Sequence, residues 1–361
     1  APVVPSAPAP LVGSAVLVLP VANSYVNLSN DSATFTLSGT CSGDTAKIRI
    51  KESGSVVATA SCSLGTFTTT GDSTVLAQGA FSLTLLAMAA DNTTQLASTV
   101  YSYNKDTIAP TLTLTASGAV ANATNKAAYP IAGTCVGIAD GGAITLKVGA
   151  ATVSTGITCA SAAWSGTADL SAQADGSVTV TADASDVAGN SATQASRAYT
   201  KNAALPVITI TASAAYIRDA NKTAYPIAGT CVGAENNQPV TLKVGGSTVS
   251  VGLTCQAAAW SGNVDLSAQS DGAVVVTADV SSAAGNVATQ ASRSFNKDIV
   301  PPTVAITASA VYVVDSNKAV YPIAGTCVGA EDNQPITLKV GATAVANGAG
   351  IVCASGAWSG T

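Results

Sequence analysis

YPIAGTCVGAEDNQPITLKVG, residues 321–341, recurs almost letter for letter as YPIAGTCVGAENNQPVTLKVG at 225–245 and more loosely as YPIAGTCVGIADGGAITLKVG at 129–149. Its apolar residues alternate. In AITLKV (143–148), Ile144, Leu146 and Val148 point one way and Thr145 and Lys147 the other, which is the pattern of a half-buried strand. The block returns at a fixed interval: Cys135, Cys231 and Cys327 stand 96 residues apart, and so do Pro110, Pro206 and Pro302. Solenoid units run roughly 20 to 50 residues. A period of 96 is the size of a whole small domain, so the chain reads as beads on a string, each with its own core.

An earlier, diverged copy covers 14–106: SGTC at 38–41 matches AGTC at 132–135, and YNKD at 103–106 matches YTKN at 199–202 and FNKD at 295–298. The expected division is a proline-rich extended segment at 1–13, a diverged domain at 14–106, repeats at 107–202 and 203–298, and a C-terminally incomplete repeat at 299–361. In the second unit, seven alternating segments are divided by Gly, Asn, Asp and Ser turns: 111–116, 129–135, 143–148, 151–159, 164–170, 177–184 and 192–200. Seven short strands in such a length predict an all-β, immunoglobulin-like sandwich of two sheets.

The composition agrees. Charged residues make up 10% and aromatic residues 4% of 361, while small and β-branched residues dominate, which favours strands over helices. A net charge of −5 leaves no basic stripe for phosphates, so nucleic acid is not an expected partner. No apolar run reaches the roughly 18 to 20 residues of a membrane span.

The eight cysteines form four pairs in sequence: Cys41 and Cys62, Cys135 and Cys159, Cys231 and Cys255, Cys327 and Cys353. There is no Cys-x-x-Cys and no histidine, which argues against zinc. One disulfide per domain is the expected arrangement, with buried free thiols as the other reading. Disulfides imply an oxidising compartment, and a chain beginning at Ala1 reads as a mature secreted form or an excised fragment.

Five residues after each second cysteine stands an aromatic: Phe67, Trp164, Trp260 and Trp358. The expected role is a core plug beside the disulfide; a carbohydrate-stacking platform is the alternative.

The string GTC…ITLKVG…W-S-G…L-S-A-Q-x-D-G…V-T-A-D…A-G-N, followed by a short linker ending in Pro, resembles the bacterial immunoglobulin-like repeats of large surface adhesins of the biofilm-associated type. The resemblance covers 14–361. A disulfide between the second and fourth strands departs from that family, whose members usually lack cysteine, and from antibody domains, which join strands two and six. Related adhesin repeats stiffen their junctions with calcium, so the resemblance implies Ca²⁺ here. The candidate ligands at the junction pole are Asp106, Asp140, Asp183, Asp186 and Asn190 in the second unit. They are Glu235, Asp279 and Asn286 in the third, where Asn202 replaces Asp106 and Ser282 replaces Asp186, and Asp298, Glu331 and Asp332 in the fourth. Ordinary Asx turns are the competing explanation.

No catalytic constellation is present: without histidine there is no Ser-His-Asp or Cys-His machinery, and no GxSxG or phosphate-binding loop occurs. The linkers DTIAP, NAALP and DIVPP are short and proline-terminated, which predicts a stiff rod of beads roughly 35 to 40 Å long each. The fourth unit stops at WSGT361, about 40 residues before its siblings end. A fragment of a longer repeat protein is expected, with strand donation by a neighbour as the alternative. Sequons occur at Asn27, Asn30, Asn92, Asn122 and Asn221.

The functional expectation is a non-catalytic stalk of a bacterial cell-surface adhesin, secreted, with its target recognised elsewhere. Its partners would be further repeats or copies of itself, and a ligand on a host or neighbouring cell. The alternative is a subunit of a self-assembling filament, sheath or lattice completed by neighbouring chains. A binding module would sit in the diverged first unit, with KESGSVV (51–57) and LGTFTTTGD (64–72).

Overall fold

The computed structural model describes residues 10–19, 24–115, 119–154, 156–211, 216–250, 252–309, 312–344 and 350–361. Of the proline-rich segment, residues 1–9 lie outside the described residues. Apart from one turn of 3-10 helix at Lys126–Ala128, every regular element among them is a strand. The chain divides into two compact units, Ala1–Ala204 and Leu205–Thr361. Most of the buried apolar residues described fall into four clusters, each drawn from one copy of the repeat.

In the first unit, Gly13–Leu19, Phe35–Gly43 and Thr66–Gly71 form one sheet. The facing sheet runs Tyr25–Val26, Gln95–Lys105, Gly79–Met88, Lys47–Glu52 and Ser55–Ser61. The next repeat has the same two layers. Thr111–Leu112, Tyr129–Val136 and Ala163–Ala168 face Ala151–Thr152, Ala143–Val148, Gly176–Asp183 and Ala195–Lys201. The opening strand crosses between sheets: Leu112 pairs antiparallel with Cys135, and Ala121 bridges in parallel to Lys201. This is an immunoglobulin-like sandwich.

The second unit repeats the pattern, with Val207–Ile208, Tyr225–Val232 and Ala259–Val264 in one sheet. The other contains Tyr216–Ile217, Ala291–Lys297, Gly272–Val280, Val240–Val244 and Ser247–Thr248. Alternation builds the core: Tyr225, Ile227 and Cys231 point inward from one sheet and meet Val274, Val276, Ala278 and Val280 from the other. The fourth repeat has Thr303–Ser309, Ile323–Val328 and Ala357–Gly360 in a sheet, and a small hairpin Lys339–Val340 with Thr343–Ala344. Val304 and Ile306 are 54% and 61% exposed there, whereas their counterparts 96 residues earlier, Ile208 and Ile210, are 5% and 8% exposed.

Six of the seven segments expected in the second repeat appear near their expected positions. The fourth, expected as one strand over 151–159, is split. Ala151 and Thr152 pair with Val148 and Lys147, and Ile157 and Thr158 pair with Ile144 and Ala143, so two short strands stand where one was expected, with residue 155 outside the described residues. Gly156, just before the second of them, has a φ of 69°.

The aromatic after the second cysteine is core. Trp164, Trp260 and Trp358 are 3–4% exposed, which leaves no ring face for a sugar. Each ring lies across from the glycine of the GTC motif: Gly133 pairs with Trp164, Gly229 with Trp260, Gly325 with Trp358, and Gly39 with Phe67. The indoles of Trp260 and Trp358 donate to the carbonyls of Thr209 and Thr326 at 3.2 and 3.1 Å.

A tight turn links the second cysteine to this aromatic strand, and both of its central residues are left-handed. They are Leu64 and Gly65, Ser161 and Ala162, Ala257 and Ala258, and Ser355 and Gly356. An alanine in that conformation costs about 1 kcal/mol or more, which glycine avoids at some loss of chain entropy. The turn is held by a side chain from the loop between strands two and three: Asp140 accepts from Ser161 N at 2.7 Å, and Asn236 from Ala257 N at 2.8 Å. Ala162→Gly, which copies the residue at the matching place in the first and fourth repeats, is expected to stabilise the second repeat by about 0.5 to 1 kcal/mol. Thermal unfolding of the variant checks this.

Candidate inter-repeat junction site

The chain's recurring polar motifs meet at the ends of the sandwiches. At the exit of the second repeat, the D-G of the fifth-to-sixth strand turn and the T-K-N of the last strand form one structure. Lys201, 6% exposed at its side chain, puts Nζ 2.7 Å from Asp175 Oδ1. The other carboxylate oxygen accepts from the backbone N–H groups of Ala203 and Ala204, both at 3.0 Å. Those are the second and third residues of the linker NAALP. The Lys201 hydrogen bond and the two linker N–H groups hold the Asp175 carboxyl below the usual carboxylate range.

The other copies solve the same problem with different atoms. Lys105 reaches Ser73 O at 2.7 Å and Asp31 at 3.1 Å, and Gln78 Oε1 accepts from Thr107 N at 3.0 Å. Burial raises the Asp31 pKa, but hydrogen bonds from Ser73 and Lys105 outweigh it and the net shift is downward. Lys297, 2% exposed, donates to Ser267 O at 2.9 Å and to Gln269 O. A buried lysine in each of these copies thus ties the last strand to the preceding turn.

Depressed carboxylate pKa values set a pH dependence. With folded-state pKa values below the unfolded value of about 3.9, Asp31, Asp175 and Asp183 contribute stability above about pH 4, and lose it as pH falls through the folded values. Melting temperature is expected to hold between about pH 7 and 5 and to fall below about pH 4. Asp175→Asn should melt lower than the parent at pH 7 and show a shallower decline toward pH 3, which thermal melts at stepped pH will read.

At the entry of the second repeat, the loop between its last two strands is pinched at Ser185 and Ser191. Asp186 closes it: Oδ1 accepts from Asn190 N and Oδ2 from Asn190 Nδ2, both at 2.9 Å. Asn190 is 2% exposed. Its Nδ2 also donates to Asp106 O at 2.8 Å, and its Oδ1 accepts from Leu28 N at 2.8 Å. Asn27 Nδ2 returns a bond to Ala188 O at 2.6 Å, so this sequon's amide nitrogen is engaged.

The other expected calcium ligands are elsewhere occupied. Asp183 pairs with Lys147 at 2.9 Å and accepts from Gln194 at 2.8 Å, and these two bonds, Lys147 first, lower its pKa. Asp140 holds the Ser161 turn, and the Asp106 carboxylate accepts from Ile108 N at 3.0 Å. In the third repeat, Asp279 pairs with Lys243 at 3.0 Å, Glu235 accepts from Ala283 N at 2.6 Å, and Asn286 is fully buried. Asp298 accepts from Val300 N, and in the fourth repeat Asp332 accepts from Ser355 N while Glu331 O accepts from Gln334 N. Among the described residues no group of three or more Asp, Glu, His or Cys side chains is placed to hold a metal ion. Of the expected ligands, Asp183 and Asp279 pair with lysines, and Asp106, Asp140, Asp186, Glu235, Asp298 and Asp332 each accept a backbone N–H.

Sequence reasoning missed Asn27, Leu28, Asp175 and the buried lysines. The recurrence of K in YNKD, YTKN and FNKD was the available signal for the last of these.

The four disulfides are Cys41–Cys62, Cys135–Cys159, Cys231–Cys255 and Cys327–Cys353, each within one repeat. Depressions on the described surface are open. One of about 470 Å³ over the Trp260 strand is lined by Thr211, Gly229, Thr254 and Ser261, without an ionisable group. No helix is long and apolar enough to cross a membrane among the described residues.

No family model matches the chain, and no curated protein matches it. Among solved structures, similarity is found to a Ca²⁺-stabilised adhesin that helps an Antarctic bacterium reach out and bind ice. It shows 24% identity over 97% of this chain and 90% of that one, at a TM-score of 0.45. A tetra-tandem repeat in the extending region of a large adhesion protein gives 24% identity, 94% and 90% coverage, and a TM-score of 0.33. A 1.5-MDa bacterial ice-binding adhesin, studied for host cell surface retention, gives 18%, 81% and 99%, and 0.37. With these TM-scores below 0.5 the likenesses decide nothing by themselves, and the sandwich fold rests on the strand pairing above.

Proposed function

We propose that this chain is a non-catalytic structural protein, a stiff stalk of tandem immunoglobulin-like sandwiches on a bacterial cell surface, whose role is reach. Its domains would run 14–106, 107–202, 203–298 and 299–361. The observation that carries the reading is what recurs at 96 residues. The core, the disulfide, the buried lysine and the Lys–Asp pair on the outer sheet return, as Lys147–Asp183 and Lys243–Asp279 do, and the depression over the Trp260 strand is lined without an ionisable group. Duplicating a stable bead lengthens a rod without a new site. Disulfides in every repeat support an extracellular location. Target recognition on a host or neighbouring cell would lie outside these sandwiches.

The second reading is a subunit of a self-assembling surface filament, sheath or lattice in which copies of this chain pack on one another. Negative-stain electron microscopy of the purified chain separates the two. Single beaded threads with a bead spacing of roughly 35 to 40 Å support the stalk. Ordered fibres or sheets of many chains overturn it in favour of the assembling subunit.

A further inference from the structure

We infer that the junction between the first and second repeats is locked by the Asn190 carboxamide, through hydrogen bonds alone and independently of calcium. The inference rests on the stalk reading only for its purpose, since a stalk needs stiff joints. Its evidence is local.

Asn190 is buried and uses both ends of its side chain across the joint. Its oxygen takes the Leu28 N–H of the first repeat's turn, and its nitrogen bonds Asp106 O, the carbonyl at the head of the linker, while Asp186 orients it from behind. The Asn27 carboxamide closes the joint from the other side by donating to Ala188 O. The turn that presents Leu28 is itself fixed: Asn27 N donates to Asn30 Oδ1 at 2.7 Å, and Asn30 Nδ2 to Tyr25 O at 3.1 Å. Two carboxamides thus join the turn, the linker and the loop into one hydrogen-bonded unit.

Calcium needs six to eight oxygens converging on one point. Asp186 Oδ1 and Oδ2, Asn190 Oδ1 and Asp106 O each accept a protein N–H, and among the described residues no group of three or more Asp, Glu, His or Cys side chains gathers here to complete such a shell. The third repeat makes the same point by substitution. Ser282 stands where Asp186 does and still holds its loop, its hydroxyl accepting from Asn286 N at 3.2 Å. A carboxylate, the strongest calcium ligand of the set, is dispensable to the loop.

The test is hydrogen exchange of the full chain, read by mass spectrometry at peptides spanning 24–32 and 104–108, in 5 mM calcium (about a millimolar-range excess) and in excess EDTA. The Leu28 amide should be equally protected in both, and Asn190→Ala should speed its exchange by about tenfold or more, the loss of one buried acceptor. Protection of the strand at 176–183 shows in the same data that the second repeat is folded. Loss of junction protection in EDTA alone overturns the inference, and this arm stands even if the variant fails to fold. Unchanged exchange at 24–32 in a folded Asn190→Ala also overturns it. Because exchange reads the joint and microscopy reads the whole chain, failure here and failure of the stalk reading are distinguishable.

Discussion

Replacing Gly229 with alanine is expected to destabilise the third repeat by about 3 kcal/mol, a large effect for a single methyl group. Gly229 pairs with Trp260, and a Cβ there would overlap the carbonyl oxygen of Thr209 and lie 2.7 Å from two carbons of the indole. Thr209 is backbone in the adjacent strand segment and bonds both the Thr230 strand and the indole N–H, so it cannot retreat without breaking them. Overpacking is costly where the obstacle is backbone rather than the tip of a flexible chain. Calorimetry should show one of the chain's unfolding transitions moved down by roughly 12 to 24 °C. Adding Trp260→Leu should recover only part of the loss, since the ring clash is relieved and the carbonyl clash remains. A variant that melts with the parent would mean that the two strands separate more easily than their pairing indicates.

The second large effect is loss of the disulfides. Cys231 and Cys255 close a separation of 24 residues in the third repeat, as Cys135 and Cys159 do in the second. In the chain-entropy account such a loop contributes about 3 kcal/mol, against a total of roughly 5 to 14 kcal/mol for a domain of this size. Cys231→Ala with Cys255→Ala is therefore expected to lower the denaturant midpoint of that repeat by about a fifth to three fifths, leaving the others in place. All four of these cysteines have no measurable exposure, so reductant should act on the native chain only as fast as the repeats open. Equal midpoints for the double variant and parent would show that the native core already restrains these strands without the bond.

Much of the fold was legible because its signals are local. Alternation in AITLKV and YPIAGTC specifies which face is buried, and the turn residues mark where each strand stops. Ile144 and Leu146 are buried as the alternation required, and Thr145 and Lys147 are half-exposed. The split of the 151–159 strand was not legible, because where an edge strand keeps its pairing depends on the register its partner offers, and that partner is six residues long. The glycine of the G-T-C motif is explained only by its surroundings across the sheet, the carbonyl of one neighbouring segment and the aromatic ring of the other.

The junction shows the same limit more sharply. Sequence spacing put Asp106, Asp140, Asp183, Asp186 and Asn190 at one pole, and a cluster of oxygens is what residue names suggest. The names do not say whether each oxygen faces a cation or an N–H. In the folded protein Lys147 takes Asp183, the Ser161 turn takes Asp140, and Asn190 takes Asp186. Asn27 and Leu28, which complete the joint, lie 161 and 162 residues away from their partners, beyond the reach of any local pattern.

What the sequence by itself determined is the period, the all-β sandwich, the inward face of each strand and the placing of one cysteine pair and one aromatic per repeat, because these follow from side-chain alternation and from spacing along one chain. What only the tertiary structure decided is the use of each polar group. A carboxylate or carboxamide has several partners within reach of its loop, and which one it takes depends on the donors that distant strands bring to it.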